Sequence, residues 1–228
     1  MKKLTVLSPL FFTLFLLSAC NGSADGESPI LDINSQGTTT INIGSLSSQL
    51  NTLPLGDLSS AEAESIVFMR EEEKLARDVY SALYNVYGTN IFTNIAASEQ
   101  THTDAVSVLI SRYNLTDPMA TDVVGVFENS ELQFIYDVLL DSGSVSLLEA
   151  LYVGARVEEL DIYDLERLKD FVIDNDDIML IYNNLLKGSR NHLRSFDKQI
   201  KNNGGVYTPI YISQEQYDDT INSPIEGN

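Results

Sequence analysis

The residues best suited to chemistry in this sequence are a glutamate and a histidine three positions apart, Glu99 and His102. On an α-helix, residues at this spacing lie on the same face, so both side chains can point toward one bound cation. The rest of that face is apolar, and it comprises Phe92, Ile95, Val106, Leu109 and Tyr113. Because a buried carboxylate or imidazole without a partner costs free energy, we expect a cation or another polar group to meet this pair.

Polar residues interrupt the apolar faces of three other predicted helices in the same way. Glu73 lies at the centre of one face, although a neighbouring face that is nearly as apolar makes Glu72 an alternative. On another helix Glu158 takes the central position, with Asp161 one turn further along, and on the last helix His192 takes it. The candidate ligand set is therefore Glu73, Glu99, His102, Glu158, Asp161 and His192.

The histidine and cysteine content defines the kind of site that these residues can form. The chain has two histidines, and both lie on the interrupted faces. Its one cysteine, Cys20, excludes a thiolate zinc cluster and a Cys-x-x-Cys redox pair. The sequence predicts a buried metal site with nitrogen and oxygen ligands. A structural hydrogen-bond network of the same residues, without a metal, stays open as the alternative.

The apolar periodicity predicts an all-α fold with four long helices. These helices are predicted to span residues 59–87, 93–113, 146–172 and 178–202. The connections within the first and the second pair are short, whereas residues 114–143 form one long crossover that carries a short extra helix, 131–140. A bundle with one long crossover is typical of ferritin-like folds, so a ferritin-like four-helix bundle is predicted. An extended arm is expected after it, over residues 206–217.

The N terminus has the pattern of an exported protein. Two lysines precede an apolar run, residues 4–17, that is too short to span a bilayer but suits a signal peptide. The run leads into Leu-Ser-Ala before Cys20, which resembles a bacterial lipoprotein signal; an ordinary secretory signal is the alternative. A lipidated Cys20 would hold the protein at a membrane surface. Asn21 after the cysteine implies the outer membrane if the source is a Gram-negative bacterium.

These patterns divide the chain into three predicted parts. Residues 1–19 form the signal peptide, residues 20–54 a flexible tether rich in Ser, Gly, Thr and Asn, and residues 55–228 the helical domain with its C-terminal arm. Within the tether, a short turn over residues 41–50 that packs on the domain stays open as an alternative. The formal net charge of -19 argues against nucleic acid as a partner, because binding to a phosphate backbone relies on basic side chains. A protein partner and an oligomer remain open.

Four segments of the chain resemble one family: MREEEKLARDVY, SEQTHTDAV, VGARVEELDIYDLE and GSRNHLRSF. They are similar to an uncharacterised bacterial and archaeal family of ferritin-like domains in the rubrerythrin and ferritin superfamily. Rubrerythrin-like proteins carry Glu-x-x-Ala-Arg-x-x-Tyr on the first helix, and here Glu73 and Tyr80 occupy the two ends of that motif, which favours Glu73 over Glu72. Ser189 departs from the pattern, since the superfamily has a glutamate three residues before the histidine that corresponds to His192.

The resemblance implies a centre of one or two iron or manganese ions, with Tyr80, Tyr182 and Ser189 as hydrogen-bonding residues around the ligands. Because a hydroxyl is a poor ligand for a hard cation, Ser189 leaves three alternatives open: Asp161 takes its place from the neighbouring helix, one metal position is weak, or only one ion binds. Two functions fit this centre. One is a di-iron or di-manganese oxidoreductase that acts on oxygen, peroxide or ferrous iron, and the other is a non-enzymatic lipoprotein that binds a metal or a partner.

Overall fold

The computed structural model describes residues 28–34 and 38–227 of the chain. Its helices are α1 (Ile43–Leu50), α2 (Ser60–Tyr87), α3 (Asn90–Arg112), α4 (Ser130–Gly143), α5 (Leu147–Lys169), α6 (Asp176–Asn202) and α7 (Gln214–Asn222). Two short strands, β1 (Leu31–Ile33) and β2 (Thr39–Ile41), pair antiparallel. The predicted all-α class is confirmed. Within the described part of the chain, no helix has both the length and the apolar character that are needed to cross a bilayer.

The four long helices surround one core. Helix α2 packs along α3 and α5 packs along α6, while α2 also contacts α5 and α3 also contacts α6. Each long helix therefore has two of the others as neighbours, and their buried apolar faces form one continuous cluster. Helix α4, in the long crossover, packs on α2 and α5. The middle of the four long helices is where the interrupted faces meet.

Capping residues fix where these helices begin and end. Ser59 and Glu62 form a capping box at the start of α2, in which each side chain accepts a hydrogen bond from the other residue's backbone N–H. Helix α2 ends at Gly88, whose φ of 62° is in the left-handed region that glycine adopts without strain. The side chain of Ser146 accepts a hydrogen bond from the backbone N–H of Glu149 at the start of α5. These caps delimit two of the helices that carry the inward polar side chains.

The segment before α2 departs from the sequence prediction. Strand β2 contacts α3 and α6, and α1 contacts α3. Ile41, Leu46 and Leu50 are each at most 2% exposed. The flexible tether predicted for residues 20–54 is therefore corrected at residues 38–40, and residues 41–50, whose packing on the domain the sequence left open, are held against the bundle by the apolar side chains of β2 and of the short helix α1. The predicted signal peptide and Cys20 lie outside the described residues.

The C-terminal arm also differs from its prediction. Residues 206–213 run irregularly over the bundle, and helix α7 then begins with a capping box at Ser213. The buried carboxylate of Glu159 anchors this irregular stretch, because it accepts hydrogen bonds from the Tyr207 hydroxyl at 2.6 Å and the Ile212 backbone N–H at 2.8 Å. The extended arm predicted for residues 206–217 is wrong at its end, since the Ser213 cap favours a helix there.

Candidate metal centre

Each of the four long helices contributes at least one polar side chain to the middle of the bundle. Glu73 comes from α2, Glu99 and His102 from α3, Glu158 from α5 and His192 from α6. All five side chains are at most 1% exposed. The helical periodicity that placed them on inward faces is therefore matched by the structure.

The two imidazoles share one carboxylate. The Nδ1 atom of His102 lies 2.6 Å from Oε2 of Glu99 and 3.1 Å from Oε2 of Glu73. The Nδ1 atom of His192 lies 2.8 Å from the other oxygen of Glu99, Oε1, and 3.3 Å from Oε2 of Glu158. The two rings are stacked, with centroids 5.4 Å apart. Glu99 therefore lies between the histidines and presents one oxygen to each.

Two groups of three residues result, and both include Glu99. Glu73, Glu99 and His102 form one group, and Glu99, Glu158 and His192 form the other. Within each group the ligand atoms lie within 4.8 Å of one another. Each of these buried groups can hold a metal ion.

The orientation of the polar atoms fits a cation better than a hydrogen-bond network. His102 and Glu73 have hydrogen-bond geometry. In contrast, both oxygens of Glu99, Oε2 of Glu158 and Nδ1 of His192 are buried at ion-pair distances from neighbouring ring nitrogens or carboxylate oxygens but do not meet hydrogen-bond geometry with any described residue. Buried polar atoms normally have well-aligned hydrogen bonds, so nitrogen and oxygen atoms that converge at short distance without that alignment match the ligands of a cation. Carboxylate with imidazole suits iron, manganese and zinc.

Charge and burial determine how the metal-free centre is protonated. Burial raises the pKa of Glu73 and of Glu158 to about 7, although the neighbouring histidines oppose the shift. Burial lowers the pKa of His192, but the carboxylates of Glu99 and Glu158 outweigh it and raise the value to about 9. For Glu99 the two histidines outweigh burial and lower the pKa. The centre therefore holds protons that a cation would displace.

Two further acids, Glu72 and Asp161, are buried beside the centre. Both carboxylate oxygens of Asp161 have no hydrogen-bond partner in the described part of the chain, whereas Glu72 faces the carboxylate of Asp164, whose charge adds to burial in raising the pKa of Glu72. Burial raises the pKa of Asp161 well above its ordinary value, and the charges of Glu72, Glu73 and Glu158 add to the shift. Asp161 belongs to neither three-residue group, so the structure places it next to the candidate ligands and not among them. Of the two alternatives on α2, Glu73 is the one that contacts His102.

The residues predicted to surround the ligands differ in their contacts. The Tyr80 hydroxyl donates to Oε1 of Glu158 at 2.5 Å, so Tyr80 lies against a candidate ligand as expected. Tyr182 shares a hydrogen bond with Ser65 at 2.8 Å instead. The Ser189 hydroxyl donates to the backbone carbonyl of Leu185, in the preceding turn of its own helix. The positions expected for Tyr182 and Ser189 are corrected accordingly.

Two polar residues at the centre were missed from the sequence, Thr39 and Ser98. Oγ1 of Thr39 lies 2.8 Å and Oγ of Ser98 lies 2.9 Å from Nε2 of His192. Thr39 belongs to the segment predicted as a tether, and the alternation of Thr39 and Ile41 with exposed Thr40 is the signal that could have identified a strand. Ser98 precedes Glu99, and nothing in its spacing distinguishes it from an ordinary small core residue.

Comparisons with known proteins bear on the same residues. Residues 62–224 match the model of a family described as "Uncharacterized protein domain (DUF2202)". The chain is 49% identical over 177 residues to "Uncharacterized protein MJ0754" of Methanocaldococcus jannaschii, an alignment that covers 78% of this chain and 95% of that relative. A crystal structure of hypothetical protein MJ0754 from Methanococcus jannaschii is similar with a TM-score of 0.75 and 49% identity, over 76% of this chain and 99% of the other. Both three-residue groups lie inside the matched range, and Thr39 lies outside it.

Proposed function

The chain belongs to the family of the uncharacterized protein domain (DUF2202), and from the geometry of its centre we propose that it binds two divalent metal ions in a ferritin-like four-helix bundle. The observation that carries the proposal is the position of Glu99, whose two oxygens face two different histidines. Glu73 and His102 would complete the ligands of one ion, and Glu158 and His192 those of the other. Glu99 would be common to both.

The ferritin-like assignment is supported by the arrangement of the helices and by the residue pattern. The four long helices pack around one core with a single long crossover between α3 and α5, and α3 supplies Glu-x-x-His. The chain differs at α6, where Ser189 stands in place of a glutamate. Asp161 is the candidate substitute, because it is buried beside the centre and carries no hydrogen bond from the described residues.

We further propose that the ions are iron or manganese. Such ions supply electron transfer to oxygen or peroxide, or the oxidation of ferrous iron. The chain itself positions Glu158 through the Tyr80 hydroxyl and keeps bulk water from the centre, since the candidate ligands are almost completely buried. The leader pattern before Cys20 supports lipid anchoring of the exported protein, at the outer membrane if the source is Gram-negative.

A second candidate is a metal-binding protein without redox activity. It is favoured by one observation: the Ser189 hydroxyl is bonded to its own helix, so α6 offers only His192 to the candidate ligand groups. A centre with fewer carboxylates neutralises less of the charge of two ions. The two candidates therefore differ in turnover and agree on metal binding.

The test begins with the chain lacking residues 1–27, purified from medium supplied with iron or manganese and analysed for metal content. Two ions per chain are expected, and ferrous iron added under air should then be oxidised, as followed by absorbance. Bound metal without oxidation would favour the second candidate. A protein that stays free of metal and whose melting temperature is unchanged by a chelator would contradict both.

A further inference from the structure

The imidazole of His192 is held on two sides. Its Nδ1 atom faces the carboxylates of Glu99 and Glu158, as described above. On the opposite side, Nε2 lies 2.8 Å from Oγ1 of Thr39 and 2.9 Å from Oγ of Ser98. The two hydroxyl oxygens are 2.9 Å apart, so both contact the same nitrogen and each other.

The hydroxyl hydrogens of Thr39 and Ser98 determine which atom is the donor in each of these hydrogen bonds. The Ser98 hydroxyl donates its one hydrogen to the backbone carbonyl of Thr39. Ser98 can then only accept from its other neighbours, so the Thr39 hydroxyl donates to Ser98 and the N–H of His192 Nε2 donates to the two oxygens. This assignment keeps a proton on Nε2 and leaves Nδ1 for a cation.

The strand that carries Thr39 is fixed to the bundle. The backbone N–H of Ile41 donates to the Thr101 hydroxyl of α3 at 3.0 Å, and Thr39 itself is fully buried. Gly188 of α6 leaves the space for this contact, because a Cβ there would lie 3.2 Å from Oγ1 of Thr39 and 2.6 Å from Nε2 of His102. The strand therefore approaches the histidine pair where α6 has no side chain.

We propose that Thr39, together with Ser98, is a positioning residue of the metal centre, which holds His192 through Nε2 so that Nδ1 binds the ion. Metal-bound histidines ordinarily donate their second ring N–H to an oxygen partner, and such partners orient the ring and strengthen binding. Nε2 of His102 has no hydrogen-bond partner among the described residues, so the two ions are held unequally. The proposal rests on the proposed metal-binding function.

This role also extends the centre beyond the matched family range. The family model begins at residue 62, whereas β2 ends at Ile41. The segment before the four-helix domain would therefore complete the surroundings of one ion. Its contribution is independent of whether Cys20 carries a lipid.

The test uses three variants of the full chain and Zn²⁺ as a diamagnetic probe, titrated in competition with a chelating dye. Thr39→Val keeps the side-chain shape but removes the hydroxyl, and we expect the affinity for one of two ions to fall by about 10–100-fold. Thr39→Ser keeps the hydroxyl and should retain the affinity. Thr40→Val changes the exposed neighbour on the same strand and should behave as wild type. Equal affinity of Thr39→Val and wild type for both ions would overturn the proposal.

A second measurement separates this proposal from the proposed function. The chain has two histidines, so the ring nitrogens of ¹⁵N-labelled protein give a simple spectrum. We expect a protected Nε2–H signal from His192 in wild type and in Thr39→Ser, weakened in Thr39→Val, with or without Zn²⁺. If wild type binds no metal, the proposed function fails, while this signal still reports the contact. If Zn²⁺ binds but the signal is the same in Thr39→Val, the positioning role fails alone.

Discussion

Replacing Glu99 with glutamine is the most direct test of a shared carboxylate. The substitution keeps the side-chain volume but removes the negative charge that lies 2.6 Å and 2.8 Å from the two imidazoles. Because both candidate groups contain Glu99, we expect E99Q to bind neither ion. Glu73→Gln and Glu158→Gln each alter one group and should each retain one ion. These two variants are the matched controls, since all three substitutions are made at buried glutamates.

The same substitution has a predictable effect on the metal-free protein. Removing one partner of a buried charge pair costs about 3–5 kcal/mol, and for a chain of this size each kcal/mol lowers the melting temperature by about 2–4 °C. We therefore expect E99Q to melt about 6–20 °C lower at pH 7. The pKa of Glu99 is lowered by the two histidines, so its contribution is complete at neutral pH and disappears as the pH falls through that lowered pKa.

Glu73→Gln should behave differently in that melting experiment. Burial raises the pKa of Glu73 to about 7, so near neutral pH the wild-type side chain is already partly protonated. Above about pH 4.5 the unfolded chain has released this proton, so wild type loses up to about 1.4 kcal/mol per pH unit relative to the variant, and E73Q should be more stable than wild type at pH 7 without metal. The measurements are metal analysis after dialysis and thermal unfolding in the presence of a chelator. An E99Q protein that retains two ions, or that melts at the temperature of E73Q, would refute the shared-carboxylate geometry.

Three further predictions concern neighbouring groups. Metal affinity should rise steeply between pH 6 and pH 9, by about tenfold per pH unit for each proton released. The reason is that Glu73 and Glu158 have pKa values of about 7 and His192 has a pKa of about 9. Calorimetry at several pH values measures this affinity. Glu72→Gln should stabilise the metal-free protein above pH 5, because burial raises the pKa of Glu72. The free energy of unfolding of wild type then falls by up to about 1.4 kcal/mol per pH unit relative to that of the variant, which urea unfolding at several pH values measures. Tyr80→Phe removes the hydrogen bond to Glu158 and should lower the free energy of unfolding in urea by about 1.5 kcal/mol. It should also weaken the binding of one ion more than that of the other.

The core of the candidate centre could be predicted because its signal is repeated along each helix. Glu73, Glu99 and Glu158 interrupt apolar faces that extend over several turns, and the helical period then fixes their direction. The sequence could not show which atoms meet. Glu99 lies between both histidines because of the relative positions of α3 and α6. The residue pattern within a single helix does not contain this information.

Thr39 illustrates what the sequence could not supply. Its strand has three residues, too few for a reliable period, and the partners of Thr39 lie 59 and 153 positions away. Its neighbourhood is rich in Ser, Gly and Thr, a composition that favours a flexible segment. The contact arises only after the four helices have formed a surface on which the strand can pack. For the same reason the sequence predicts an extended arm where the structure has an irregular stretch bound by Glu159 and then helix α7.

Asp161 provides a test in which two measurements should change in opposite directions. Three glutamates balance three of the four positive charges of two divalent ions, and an ionised Asp161 would supply the fourth. Without metal the same side chain destabilises the folded protein, because burial and the neighbouring acids raise its pKa well above the ordinary value. Asp161→Asn should therefore raise the melting temperature in a chelator and, at the same time, weaken binding of the second ion. If the variant were stabilised equally with and without metal, Asp161 would be a buried acid unconnected to the ions, and the charge of the centre would have to be balanced without it.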